Sequence, residues 1–264
     1  MRLFTKVGRH PIPLDFAQYP AGEWRLSPLE SSASLVLEAS GLEPDFWPKA
    51  ALLARACVAA SARLSLALPY LPAAREDHQH HFGARAYAQL LNTLNFAVHV
   101  FDSHSSVMPN MLNYCVVHAP TDAVVASVSG VGGVLCPDAG AFRRATAVAE
   151  RLGVPLVVAS KVRNPATGKL SDFSCPALPE IDGSWLVVDD ICDGGGTFVG
   201  LAKASGLPRE KLQLWVSHAI FSGNARKLTD FYRTITTTNS FVSLTDVPCT
   251  RVPVHAFMKG LYDF

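Results

Sequence analysis

The sequence predicts an α/β fold of two similar lobes, each a mostly parallel sheet flanked by helices. Three observations carry this. Short apolar runs alternate with helical stretches along most of the chain. Each apolar run stops at polar residues, the edge where open α/β sheets place ligands. The strand–helix rhythm also repeats in two halves that meet near residue 130, so the expected lobes are 1–129 and 130–264. A chain of 264 residues is long enough to bury a core in each.

The elements follow in order. Pro48 to Arg63 reads as a helix rich in Ala and Leu, and Leu64 to Leu68 as a strand closed by Pro69 and Pro72. Ala84 to Leu94 is a second helix, followed by a strand from Ala97 to Phe101 that runs into Asp102. After Gly130, Val131 to Leu135 is a strand ending in Pro137-Asp138. Ala141 to Leu152 is then helical, and Pro155 to Ala159 returns as a strand. Trp185 to Val188 and Leu212 to Val216 are continuous apolar runs, as expected of strands covered on both faces.

Composition narrows the function classes. Apolar residues make up 49% of the chain, charged residues 17%, and the net charge is +1. That balance gives no electrostatic footprint for nucleic acid or for an anionic membrane surface. An anionic ligand must therefore be held by local groups. The six cysteines (Cys57, Cys115, Cys136, Cys175, Cys192 and Cys249) are scattered without a C-x-x-C pair. This pattern predicts reduced thiols in a cytoplasmic protein, with neither a disulfide framework nor a zinc site. Met1-Arg2-Leu3-Phe4 lacks the apolar region of a secretion signal, and charged or polar residues interrupt every long apolar stretch.

The strongest candidate site is Val187 to Thr197, which reads Val-Val-Asp-Asp-Ile-Cys-Asp-Gly-Gly-Gly-Thr. A buried strand delivers Asp189 and Asp190, and a loop of Gly194, Gly195 and Gly196 then opens a helix at about Phe198. Glycines let backbone N–H groups approach a phosphate, and a helix N-terminus favours its charge. Asp193 and Thr197 can order the turn, and Thr197 can also donate to a phosphate oxygen. Paired aspartates suit two vicinal hydroxyls, directly or through Mg²⁺. Phosphate at one end and a diol at the other describe a ribose phosphate. The plain alternative is a glycine-rich turn with a helix-capping aspartate. Gly168-Lys169 is followed by Leu170 and lacks the spacing of a G-x-x-x-x-G-K-[ST] loop. No G-x-G-x-x-G follows a strand, so P-loop kinases and Rossmann dehydrogenases fit poorly.

This segment resembles the phosphoribosyl diphosphate (PRPP) binding motif of type I phosphoribosyltransferase folds. Further segments, in the family's order from about Gln18 to Ala225, make the chain similar to the PRPP synthetases (ribose-phosphate diphosphokinases). They are Tyr19-Pro20-Ala21-Gly22-Glu23, the run from Leu68 to Asp77, Asp102-Ser103-His104, Cys136-Pro137-Asp138-Ala139-Gly140, Lys161-Val162-Arg163, and the run from His218 to Ala225.

The resemblance implies two phosphoribosyltransferase-like lobes and transfer of diphosphate from ATP to the C1 hydroxyl of ribose 5-phosphate. It implies an ATP side formed by Tyr19, Glu23, Arg75, Glu76, Asp77 and His104. A ribose-phosphate side is implied at Asp189, Asp190, Asp193, Gly194, Gly195, Gly196 and Thr197. Lys161, Arg163 and His104 are the implied catalytic residues, Lys161 and Arg163 at the start of a mobile loop over Asn164 to Lys169. Mg²⁺ is the implied cofactor, with His104, Asp138 and Asp189 as candidate contacts. A homo-oligomer, at least a dimer, is also implied. Taken alone, Lys161 and Arg163 read more often as a solvated face, and His104 has the alternative of a strand-end surface histidine and Arg75 that of a turn cap. His78, His80 and His81 lie in a polar loop with no distant partner for a metal.

The chain also departs from the family. Gly194 replaces a threonine of the phosphate loop, Ala21 stands where an acidic or amide residue is common, and Glu76 replaces a glutamine. The chain is short for the family, with losses near the lobe junction and the C-terminus, regions that there build the hexamer and the ADP site. The roomier loop at Gly194 raises ADP-ribose as an alternative acceptor. A PRPP-consuming phosphoribosyltransferase and a non-catalytic synthetase-associated subunit are lesser alternatives.

Overall fold

The computed structural model describes residues 1–29, 33–40, 44–73, 75–76, 82–163 and 170–263, with the backbone alone at 161–163 and 170–172. The chain divides into two compact units. The first comprises Met1–His118 with His255–Phe264, and the second Ala119–Val254.

The first unit is built on strands β1 (Arg2–Thr5), β2 (Pro11–Ile12), β3 (Phe16–Gln18), β4 (Trp24–Leu26), β5 (Ser34–Glu38), β6 (Arg63–Ala67), β7 (Ala97–Phe101) and β8 (Cys115–His118). Its main sheet has the order β2-β1-β5-β6-β7-β8. β5 through β8 run parallel, whereas β1 is antiparallel to β5 and β2 to β1. β3 and β4 form a separate antiparallel hairpin. Helix α1 (Phe46–Ala59) links β5 to β6, α2 (Gly83–Thr93) links β6 to β7, and the short α3 (Val107–Met111) links β7 to β8.

α1 buries Phe46, Ala50, Leu53 and Cys57, the recurrence of one helical face. Pro48 sits in its first turn, where a missing N–H costs nothing. The helix ends before Arg63 because Ser61 takes a left-handed backbone with φ 55°. Arg63 instead opens β6. Leu35, Leu37, Phe46, Leu53, Leu66, Leu91 and Val100 form the centre of the core.

The second unit holds α4 (Thr121–Ser127), β9 (Val131–Cys136), α5 (Phe142–Leu152), β10 (Leu156–Val158), β11 (Ser160–Arg163), β12 (Leu170–Ser174), β13 (Ser184–Cys192), α6 (Gly196–Ser205), β14 (Leu212–Ala219), β15 (Thr234–Thr238) and β16 (Thr250–Val252). Its sheet, β10-β9-β13-β14-β15-β16, is parallel throughout. β11 and β12 form an antiparallel hairpin beside it in sequence. β13 and β14 are buried almost residue for residue, as strands covered on both faces must be. Trp185, Val187, Leu214, Val216 and Phe198 anchor the core.

β13 runs past Val188 to Cys192, because β14 continues to pair with it at Asp189↔Val216, Ile191↔His218 and Cys192↔Ala219. The aspartates therefore stand within the strand and not beyond it. α5 ends at Gly153, whose left-handed φ of 69° lets Gly153 N–H reach Glu150 O and Val154 N–H reach Ala149 O.

The division between units lies eleven residues ahead of the expected 129/130 boundary, at 118/119. α4 packs on α5, and Gln213 Nε2 donates to Ser129 O at 2.8 Å, which hold this stretch in the second unit. The last residues return to the first unit, where Gly8 N–H donates to Asp263 O and Asp263 N–H to Lys6 O. Among the described residues no helix is long and apolar enough to cross a membrane. All six cysteines are free thiols.

Candidate active site

In the second unit the buried length of β13 fixes where the acidic pair stands. Asp189 and Asp190 are 9% and 4% exposed, so their charges need partners inside the protein. Arg144, from the first turns of α5, supplies one. Its Nη1 lies 3.4 Å from Asp189 Oδ1 and its Nη2 3.6 Å from Asp190 Oδ2. Asp190 N–H also donates to Asp189 Oδ1 at 2.9 Å. Burial first, and the neighbouring Asp190 charge second, push the Asp189 carboxyl well above the usual carboxylate range, while Arg144 pulls it back.

The loop after β13 is fixed from both sides. Ser222 Oγ donates to Asp193 Oδ1 at 2.5 Å, and Ser222 N–H donates to Asp193 O at 3.1 Å. Gly195 takes a left-handed φ of 78°, and its carbonyl accepts from Phe198 and Val199 N–H as α6 begins. The helix thus opens at Gly196, two residues before the expected Phe198. Gly194, Gly196 and Thr197 sit on that opening, where the first N–H groups of a helix lack partners within it and favour an anion. Tyr232 Oη donates to Phe198 O at 2.8 Å and ties the first turn to the core.

Room around the glycines differs. A Cβ on Gly195 would meet Leu228 at 3.2–3.3 Å, on top of the left-handed backbone. Among the described residues, on Gly194 it would meet only Ser222, at 3.8 Å, and on Gly196 nothing within 4 Å. Of these three, only Gly195 is demanded by its backbone and its described neighbours.

Asp138 follows β9. Its Oδ1 accepts from Gly140 N–H at 2.9 Å and Ala141 N–H at 3.1 Å, which forms the turn leading into α5 and hence to Arg144. Cys192 lies beside the aspartates, and burial, with Asp189 and Asp193, pushes its thiol up to about 12. It is an inert core group. His218, from the run that ends at Ala225, is buried in β14 and bonds Ser240 Oγ through Nδ1 at 2.7 Å, a structural position. The backbone of β11 carries Lys161 and Arg163 and pairs with β12 at Lys161↔Phe173. Asn164 to Lys169 lie outside the described residues.

In the first unit, the C-terminal ends of β6 and β7 bring two of the predicted segments to one edge. Leu68 N–H donates to His99 O, and Phe101 N–H donates to Pro69 O at 3.0 Å. From there one segment leads through Tyr70 to Arg75 and Glu76, both exposed, and the other through Asp102 to an exposed His104. Asp102 itself is buried with a left-handed φ of 43°, and its N–H donates to His118 O. Tyr19 to Glu23 form the turn of the β3–β4 hairpin, with Tyr19 N–H bonded to Glu23 O and Gln18 Nε2 to Gly22 O. This hairpin is held against α1, where Lys49 Nζ lies 4.0 Å from the Trp24 ring centroid. Asp77, His78, His80 and His81 lie outside the described residues. Among the described residues no three His, Cys, Asp or Glu side chains group to hold a metal ion.

Sequence reading passed over Arg144. Its only signal is an arginine in the first turns of a helix whose other inward residues, Ala141, Ala145, Val148 and Ala149, are small or apolar.

Comparison with known proteins bears on this geometry. The phosphoribosyl transferase domain family matches residues 133–247, which contain most of β9, all of β13, the glycine loop and Ser222. A ribose-phosphate pyrophosphokinase from Pyrococcus abyssi is 28% identical over 245 residues, covering 84% of this chain and 82% of that protein. Ribose-phosphate pyrophosphokinase 4 of Saccharomyces cerevisiae is 30% identical over 213 residues, 69% of this chain and 60% of its own length.

The chain is similar to the PRPP synthetases over most of its length. The crystal structure of the phosphoribosylpyrophosphate synthetase from Mycobacterium smegmatis superposes with a TM-score of 0.69 at 21% identity, over 91% of this chain and 85% of that one, and so shares the fold.

Proposed function

We propose that this protein transfers the diphosphate group of Mg·ATP to the C1 hydroxyl of ribose 5-phosphate, giving PRPP and AMP. The observation that supports it best is the acidic pair Asp189–Asp190, held by Arg144 on a buried strand and followed at once by a glycine loop that opens α6. The loop and helix N-terminus suit the 5-phosphate, and the carboxylates suit the ribose hydroxyls. The oxygen on C1 attacks the β-phosphorus, the bond from that phosphorus to the oxygen bridging to the α-phosphate breaks, and AMP leaves with that oxygen. The hydroxyl proton is lost to solvent or to a phosphate oxygen.

Such a transfer needs positioning and cations more than a covalent partner. Lys161 and Arg163 are the proposed cations, with Arg75, Glu76 and His104 on the ATP side near the ends of β6 and β7. Tyr19, Glu23 and Asp77 are assigned to the same side from the family pattern. Mg²⁺ arrives with ATP. It uses few protein ligands and keeps phosphate oxygens and waters.

One observation favours a second reading. Among the described residues neither backbone strain nor crowding requires glycine at 194, and a loop that carries no side chain there suits a larger group on the ribose 5-phosphate, as in ADP-ribose. The test is AMP release from Mg·ATP with each acceptor supplied separately. AMP with ribose 5-phosphate establishes the first reading, AMP with ADP-ribose alone the second, and silence with both refutes diphosphate transfer.

A further inference from the structure

We infer that Arg144 is a positioning residue for the ribose acceptor, acting as a two-armed brace that sets the direction of both carboxylates. The inference rests on the proposed function. Consecutive residues of a strand point to opposite faces, so Asp189 and Asp190 have no intrinsic reason to present their oxygens to one ligand. Arg144 overcomes this. One terminal nitrogen reaches Asp189 and the other reaches Asp190, so the spacing of the guanidinium fork fixes the spacing of two oxygens. The Asp190 N–H bond to Asp189 Oδ1 adds a third constraint.

The brace is itself held. Its side chain is 9% exposed, and it enters from the turn that Asp138 ties through Gly140 and Ala141. Nη1 also lies 3.4 Å from Gly140 O. The β9–α5 turn and the β13 strand are thereby coupled through one guanidinium.

A bland role competes: Arg144 could merely offset the charge of two buried carboxylates. Lysine separates the two. Its ammonium is a compact point charge that can neutralise but cannot span both aspartates as a planar fork does. Arg144→Lys should therefore stay folded yet raise the KM for ribose 5-phosphate by roughly tenfold or more, the loss of one oriented ion pair. The KM for Mg·ATP should stay within about twofold, since nothing in the brace concerns that substrate. Arg144→Gln should show the same split more strongly.

Each protein is assayed equally far below its own melting midpoint, so that lost stability does not pass for lost affinity. Wild-type acceptor KM in Arg144→Lys, or equal changes in both KM values, overturns the positioning role and leaves charge compensation. Failure of the wild type to release AMP with either acceptor overturns the functional reading on which the inference rests.

Discussion

Tyr262 donates its phenolic hydrogen bond to Glu38, joining residues 224 positions apart in the sequence. Glu38 is 4% exposed at the end of β5, and Arg9 lies 2.7 Å and Arg2 3.1 Å from its oxygens. Burial, and then the Glu38 bond, raise the Tyr262 phenol above its ordinary pKa, so it remains a donor. Removing that hydroxyl by Tyr262→Phe leaves a buried carboxylate short of a donor. The expected cost is about 1–3 kcal/mol, read from the urea midpoint. Arg2, whose side chain is 68% exposed, is the internal control. Arg2→Ala should cost below about 1 kcal/mol, and equal losses in the two variants would contradict this ranking.

Two histidines on neighbouring strands set a pH dependence. The His99 and His118 rings stack at 5.3 Å, with Nδ1 and Nε2 3.1 Å apart. Burial, and then the His99 charge, lower His118 from 6.5 to about 4, and burial lowers His99 in the same direction. The unfolded chain therefore takes up protons at a higher pH than the folded one. Stability from His118 is fully present above pH 6.5, falls as the pH drops, and levels off near 4. At its steepest one such group contributes about 1.4 kcal/mol per pH unit. His118→Gln should shallow the fall between those limits, and an unchanged slope in denaturant midpoints across this range would count against the assignment.

The glycine loop makes opposite predictions at adjacent positions. Gly195→Ala meets Leu228 and a left-handed backbone, and should destabilise the second unit by about 1–2 kcal/mol. Gly194→Ser meets neither obstacle and should melt with the wild type. If the space above Gly194 admits a substituted ribose phosphate, the serine should lower kcat/KM for ADP-ribose more than for ribose 5-phosphate. Thermal melts and paired acceptor assays read both effects.

Lys161→Ala and Arg163→Ala test the chemical step. Each should lower kcat by about 10²–10³ while leaving the melting midpoint in place. A lowered rate with both substrate KM values preserved is the pattern of a group that acts on developing charge.

Much of the second unit was legible in sequence, because its decisive strands are apolar runs that need both faces covered: Trp185 to Val188 and Leu212 to Val216 are each found inside β13 and β14. The acidic pair and glycine loop were legible for a different reason, since carboxylates and glycines in tandem have few structural uses. The extension of β13 to Cys192 was not, because local polarity at Asp189 argues for an ending and only pairing with β14 overrides it. Arg144 was invisible because its acidic partners lie 45 and 46 residues away. β1, with its short Leu3–Phe4 apolar pair, is held by antiparallel pairing with β5, whose register Leu3↔Leu37 joins segments distant in sequence.

The return of residues 255–264 to the first unit has a consequence for synthesis on the ribosome. Domains ordinarily fold in the order in which they emerge. Here the second unit is one contiguous stretch, whereas the first lacks Tyr262, His255 and Asp263 until after the whole of the second has been translated. The nascent first unit therefore carries Glu38 without Tyr262 and His255, and the unit that begins first is completed last.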